Sequence, residues 1–244
     1  MKTRRKEAGP VSIESSYITD GTDNHRFVSP EMVNYLEGQL FQKPVISSFS
    51  LTGLSGTSFE ISSSAHSVTG FNHQETNISN IEGNLVLKKG GSTIKSDITP
   101  SPSSTSVTLT GESFTLSSNG GSIIYELSGT DKRSQTFKKE VRLSAYTPSF
   151  IGGLTTDSIS SGDLANLTKV ASANLSGSRS ITLSSTGYLY FVTISTISGI
   201  TSGGFEVPIT KLSNLSATIN GVSVSYNVYR SGQLVAGTYS LVIS

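Results

Sequence analysis

The sequence predicts an all-β protein, two tandem immunoglobulin-like β-sandwiches behind an extended N-terminal arm that carries one short helix. Three observations predict it. β-Branched and aromatic residues crowd into short runs, such as 188–194 and 238–243, each ended by Gly, Ser or Asn; such runs suit a pleated, half-buried surface and resist helix. Apolar residues make up only 34% of the chain, which a sandwich tolerates because alternate strand residues face its core and Thr sits well on its outer face. The 244 residues suit two domains of about a hundred residues each.

Residues 1–42 form the arm. Lys2, Arg4, Arg5 and Lys6 open it, and Asp20-Gly21-Thr22-Asp23-Asn24 lies in its middle. A helix signal follows: Ser29 can cap, Pro30 suits the first helical position, and Glu31 complements the positive end of the dipole. Met32, Val33, Leu36 and Leu40 then fall on one side at helical spacing. A helix this short is marginal alone in water, so the stripe must pack on its own body, on sister copies or on another protein.

Residues 43–147 hold the first sandwich. Pro44 to Leu51 reads as an edge strand, because a proline at its start tolerates the missing N–H. Further strands are expected at 58–62, 78–81, 85–88, 106–109, 113–116, 123–127 and 139–146, parted by turn signals such as Lys89-Gly90-Gly91 and Asn119-Gly120-Gly121. Seven or eight short strands over about a hundred residues is the count of an immunoglobulin-like sandwich.

Residues 148–244 hold the second sandwich, with a hinge expected across Thr147 to Gly153. Asp163 ahead of Leu164, Leu167 and Val170 signals a short helical turn. Strands are expected at 180–183, 188–194, 205–209, 215–219, 222–229 and 238–243. Asn220-Gly221 between two alternating runs is the strongest hairpin signal in the chain, since both residues tolerate positive φ.

Composition narrows function. Charged residues are 14% and the net charge is +1, so no overall field draws in nucleic acid or an anionic membrane. Cysteine is absent, which excludes disulfides, thiolate zinc sites and cysteine nucleophiles. Ala8-Gly9-Pro10 stands where a signal peptide needs an apolar core, and no apolar run reaches membrane-spanning length. The expectation is a protein that needs no secretory route and inserts in no membrane.

Reactive constellations are sparse. His66 and His73 lie seven residues apart with Glu75 nearby, a set that would ligate a metal only if a hairpin brought it together. The plainer reading of His25, His66 and His73 is solvated loop residues. Asp20 to Asn24 resembles the start of a calcium loop without the distal Glu. No Gly-x-Ser-x-Gly stands in a strand-turn-helix context, and carboxylates are few. No enzyme, cofactor or metal is expected. Tyr188, Tyr190, Tyr226, Tyr229 and Tyr239 form a candidate carbohydrate surface, with Tyr188 and Tyr190 on one sheet face; core packing is the plain alternative.

Gly187-Tyr188-Leu189-Tyr190-Phe191, Gly203 to Val207, Val224 to Ser231 and Gly237-Thr238-Tyr239 resemble the carboxy-terminal sandwich module of tailed-bacteriophage structural proteins. That module recurs in fibre, baseplate and neck-associated proteins, including those of crAss-like gut phages. Pro44 to Leu51 and Tyr125 to Asp131 resemble the immunoglobulin-like repeats that often precede it, and Phe27 to Val33 looks like the helical connector after an anchoring arm. The middle part departs from that pattern in lacking a Trp. The resemblance implies a virion structural protein, made in the host cytoplasm and attached to other virion proteins through its arm. Its anchor would comprise the basic cluster, Phe27 and the Met32–Val33–Leu36–Leu40 stripe. It also implies a homo-oligomer, with a trimer favoured, and display of the sandwiches toward a host-surface glycan. The rival expectation is a carbohydrate-binding or adhesive surface protein of a bacterium.

Overall fold

The computed structural model describes residues 40–244 and, within the arm, the backbone of two short paired strands, β1 (Tyr17–Ile18) and β2 (Phe27–Val28). The basic cluster, the side chain of Phe27 and the helix expected after Pro30 lie outside the described residues, apart from Leu40 at its end. Leu40 is exposed.

The first unit runs through β3 (Val45–Thr52), β4 (Ser58–Glu60), β5 (His66–Ser67), β6 (Gly70–Thr76), β7 (Ile81–Lys89), β8 (Ser92–Ile98), β9 (Thr105–Thr108), β10 (Ser113–Phe114), β11 (Ser122–Asp131) and β12 (Thr136–Tyr146). One sheet has the order β3-β6-β9 and the other β4-β12-β11-β7-β8. β4 pairs with β12 in parallel while its neighbours pair antiparallel. A first strand that splits between the sheets and meets the last strand in parallel gives this unit the immunoglobulin-like order. Phe71 from one sheet and Leu85, Leu87, Leu127 and Leu143 from the other are fully buried between them. β3 is an edge strand, as Pro44 predicts.

The second unit comprises β13 (Ser149–Leu154), β14 (Thr168–Val170), β15 (Gly177–Leu183), β16 (Tyr188–Thr193), β17 (Ile200–Ser202), β18 (Phe205–Glu206), β19 (Ile209–Lys211), β20 (Leu215–Ile219), β21 (Val222–Ser231) and β22 (Gly237–Ile243). Its central sheet is β14-β13-β16-β21-β19, with β20 also on β21; its second sheet is β15-β22-β17-β18. This is a sandwich of a different connectivity, because the last strand lies in the middle of the second sheet. The predicted helical turn is a 3-10 run, Ser161–Asn166, closed by a capping box between Ser160 and Asp163.

The central sheet of the second unit is apolar on both faces. Ile151, Leu189, Phe191 and Tyr229 pack toward β15, β17 and β22. Phe150, Tyr190, Val192, Tyr226 and Val228 join the cluster that also contains the core of the first unit. Strands buried on both faces read as continuous rather than alternating apolar runs, and Leu189-Tyr190-Phe191-Val192 is such a run.

No sheet crosses the joint, yet the joint is not a hinge. Only Thr147 and Pro148 separate β12 from β13. Thr147 is 2% exposed and Ser149 0%. Gly152 and Gly153, which invited the hinge reading, lie inside β13 for a packing reason. A Cβ on Gly152 would meet Leu167, and one on Gly153 would overlap Leu183 on the other face.

The Asn220-Gly221 turn has both residues at positive φ, 46° and 80°, and closes the predicted hairpin at Ile219 and Val222. Its tip also crosses to the first unit. The Ser63 N–H and Oγ donate to the Asn220 carbonyl at 3.0 and 3.2 Å. Any side chain on Gly221 would run into Ser63 Oγ.

Two outcomes follow for the joint. Limited digestion with a broad-specificity protease should leave the two units in one resistant fragment, and separation into two sandwiches would refute a buried joint. Gly221→Val should cost about 1–3 kcal/mol in denaturant unfolding, because the left-handed conformation and the contact with Ser63 both oppose a branched side chain.

Candidate functional site

A cleft of about 640 Å³ opens where the two units meet. Its floor is apolar: Phe150, Leu164, Leu167 and Ala217 reach it with 6–7% of their surface. The 3-10 turn supplies Leu164 and Leu167 because its capping box fixes where that turn starts. The Asp163 carboxylate accepts from the Ser160 N–H at 2.8 Å and its hydroxyl at 2.7 Å. Those two bonds hold the Asp163 carboxyl below its ordinary pKa.

The rim is polar and comes from both units. Glu60, at the end of β4, accepts from Lys169 Nζ on β14 at 2.8 Å and from Asn220 Nδ2 at 3.0 Å. Asn220 Nδ2 also donates to the Ile61 carbonyl at 3.2 Å. Thr218 and Ser161 add hydroxyls, both exposed. Lys169 is half exposed, so its ion pair contributes at most about 1 kcal/mol. It neutralises the rim more than it stabilises the joint.

Of the five tyrosines weighed as a carbohydrate surface, three are core residues and two are half-buried. Tyr190 and Tyr226 are 0% exposed and Tyr229 4%. Each phenol is committed to main chain: Tyr190 donates to Thr156 O at 3.0 Å, Tyr226 to Pro148 O at 3.0 Å, and Tyr229 accepts from Ile197 N at 3.3 Å. A buried ring with a hydroxyl to satisfy explains why tyrosine rather than phenylalanine stands there. Tyr188 is half-buried beneath the Arg230 guanidinium, 4.7 Å from its ring centre. Tyr239 is half-buried and donates to Val235 O at 2.7 Å. No shared aromatic platform results. Tyr188 and Tyr190 do share a sheet face, on the side that joins the first unit's core.

His66 and His73 also depart from the loop reading, while His25 lies outside the described residues. His73 and Glu75 lie on β6, which the sequence hid because its inward positions carry a histidine and a glutamate. His73 is 0% and Glu75 1% exposed. His73 Nδ1 sits 3.1 Å from both Glu75 oxygens, and the Ser101 N–H donates to Glu75 Oε2 at 2.8 Å. The pair ties β6 to the Pro100-Ser101-Pro102 loop, sealed from any substrate. His66 is stacked on Phe114 with ring centres 5.1 Å apart. Among the described residues no group of three or more His, Asp or Glu gathers to hold a metal, and no helix is long and apolar enough to cross a membrane.

Sequence reasoning therefore missed the cleft, whose residues are distant in the chain and individually ordinary. Its one legible signal was Asn220-Gly221, read as a turn and not as a contact.

No family model matches the chain, and no curated protein matches it. A comparison of solved structures finds similarity to the Bacteroides ovatus mixed-linkage glucan utilization locus protein SGBP-B, in complex with a mixed-linkage heptasaccharide. The TM-score is 0.23 and the identity 11%, over 83% of this chain and 47% of that one. The chain thus spans about half the length of that protein. A likeness of that degree transfers nothing.

Glu75→Leu should destabilise the first unit by about 3 kcal/mol in urea unfolding, since it leaves His73 and the Ser101 N–H without their buried partner. Alkaline titration makes a second check. Burial raises the phenols of Tyr226, Tyr125 and Tyr190 above the ordinary value. The folded protein then keeps protons that the unfolded chain releases above about pH 10. The contribution of these groups is therefore complete below that pH and declines as pH rises beyond it. Tyrosinate absorbance should lag in the folded protein relative to the urea-unfolded chain; coincident curves would refute the burial.

Proposed function

We propose that this chain is a non-enzymatic structural subunit of a tailed-phage virion, of fibre, decoration or baseplate-associated type. Its N-terminal arm attaches it to other virion proteins, and its two sandwiches are carried outward. It is made in the host cytoplasm and works as a homo-oligomer, with a trimer favoured by resemblance to phage fibres. The observation that carries the reading is the joint: Thr147 and Pro148 are buried, and β13 continues from β12 without a flexible spacer. Two sandwiches fused in this way make a stiff body suited to display. Host attachment through the tyrosine set has no support, because Tyr190, Tyr226 and Tyr229 are buried.

Leu40 at the end of the arm stripe is 75% exposed, which fits a stripe that finds its partner in assembly. Labelled protein should be found on purified particles, and deletion of residues 1–42 should leave a folded protein that no longer joins them. Normal incorporation of the deleted form would reverse the polarity proposed here. Absence of the labelled protein from particles would favour the bacterial surface-protein reading. Replacing Leu36 and Leu40 with Asp should abolish self-association, read by sedimentation, without unfolding the sandwiches.

A further inference from the structure

We infer that the cleft between the two units is a binding site for a neutral saccharide, a function that goes beyond the virion reading and does not depend on it. Clefts of roughly 300–1,000 Å³ at domain interfaces, apolar with a few convergent polar groups, are the usual form of small-ligand sites. This one has about 640 Å³ and lies where the two units meet, but it is the more polar kind, a hydrophilic rim around a few nearly buried apolar side chains.

The chemistry of the rim selects the ligand. Glu60 and Lys169 neutralise each other at 2.8 Å, so the rim presents no net charge to draw in an ionic ligand. A neutral ligand leaves the pair intact. Hydrogen-bonding capacity nevertheless remains. Lys169 Nζ keeps two of its three protons after its bond to Glu60, and each Glu60 oxygen keeps a lone pair beyond its one protein donor. Thr218 and Ser161 can each donate and accept.

Donors and acceptors therefore alternate around an apolar floor. A pyranose ring matches that pattern, with hydroxyls on its edge and C–H groups on its face. The planar Glu60 carboxylate and the Lys169 ammonium suit a pair of neighbouring hydroxyls. The floor has Phe150, but that ring is 6% exposed and stands edge-on to Tyr226 at 5.9 Å, so no broad aromatic face stacks on the sugar. Affinity for one unit is accordingly weak, near 1 mM, equivalent to about 4 kcal/mol. Copies held together on one assembly would raise the effective strength through avidity.

Titrating isotope-labelled full-length protein with cellobiose, maltose, lactose and methyl α-mannoside, followed by amide NMR, tests the inference. At least one neutral sugar should shift Gly162, Lys169, Thr218 and Asn220, with a Kd near 1 mM. Ala165→Trp, which fills the cleft from its exposed rim without touching the Glu60 contacts, should abolish those shifts while leaving the remaining spectrum and the melting curve in place. Lys169→Met should weaken binding by about tenfold. The inference is overturned if none of these sugars shifts the cleft residues. Binding that survives the Trp variant overturns it as well. So do shifts caused by sialic acid alone, or only by an uncharged β-forming pentapeptide added against β20, since these would make it an anion site or a peptide groove. Particle labelling decides the virion reading separately, so either conclusion can fail without the other.

Discussion

Two residues join β12 to β13, and that brevity constrains nearly everything else. A long linker would let each sandwich close its own surface to water. With only Thr147 and Pro148 between the strands, the end of one unit must lie against the side of the next. The second unit meets this by making its central sheet apolar on both faces, so that Phe150, Tyr190, Val192 and Tyr226 continue the core of the first. Burial of that continuous apolar area is the larger stabilising term at about 25 cal/mol per Å². The polar contacts across the joint, exposed or half exposed, set its register.

Register is where the hairpin matters. The β20–β21 tip carries a carbonyl to Ser63 and an amide to Glu60 and Ile61. These bonds are directional, and they fix how far one sandwich turns against the other. The cleft is a by-product of the same docking: the 3-10 turn, β20 and the end of β4 converge without filling the space between them. The second unit supplies nearly all of its lining, and docking adds Glu60 to the rim.

Burial of a polar group without a partner is expensive, and most interior polar groups answer it with a bond. The phenols of Tyr190, Tyr226 and Tyr229 reach main-chain atoms and that of Tyr125 reaches Glu112 Oε1, Thr193 Oγ1 donates to Ala173 O at 2.7 Å, and Glu75 accepts from both His73 and Ser101. Each such bond ties a loop to a strand. The chain uses hydroxyls and carboxylates for a task that disulfides perform in other small sandwiches, consistent with its lack of cysteine.

The sequence by itself determined what local chemistry can decide. β-Branched and aromatic runs gave the all-β class, Pro44 the edge strand, Asn220-Gly221 the hairpin, and Asp163 ahead of Leu164 the 3-10 turn. Each of these is set by backbone preference within a few residues. Only the tertiary structure decided which faces are covered. β6 was hidden because a histidine and a glutamate occupy its inward positions, where they bond each other and Ser101 from a distant loop adds a donor to the carboxylate. Gly152-Gly153 read as freedom and proved to be close packing of Leu167 and Leu183 on opposite faces. Tyr190 and Tyr226 stood open between a ligand surface and core packing, because nothing near them in the chain reveals a second sheet face buried by another unit. The cleft was out of reach for the same physical reason: Glu60, Lys169 and Asn220 meet through a joint whose geometry depends on contacts more than a hundred residues apart in the chain.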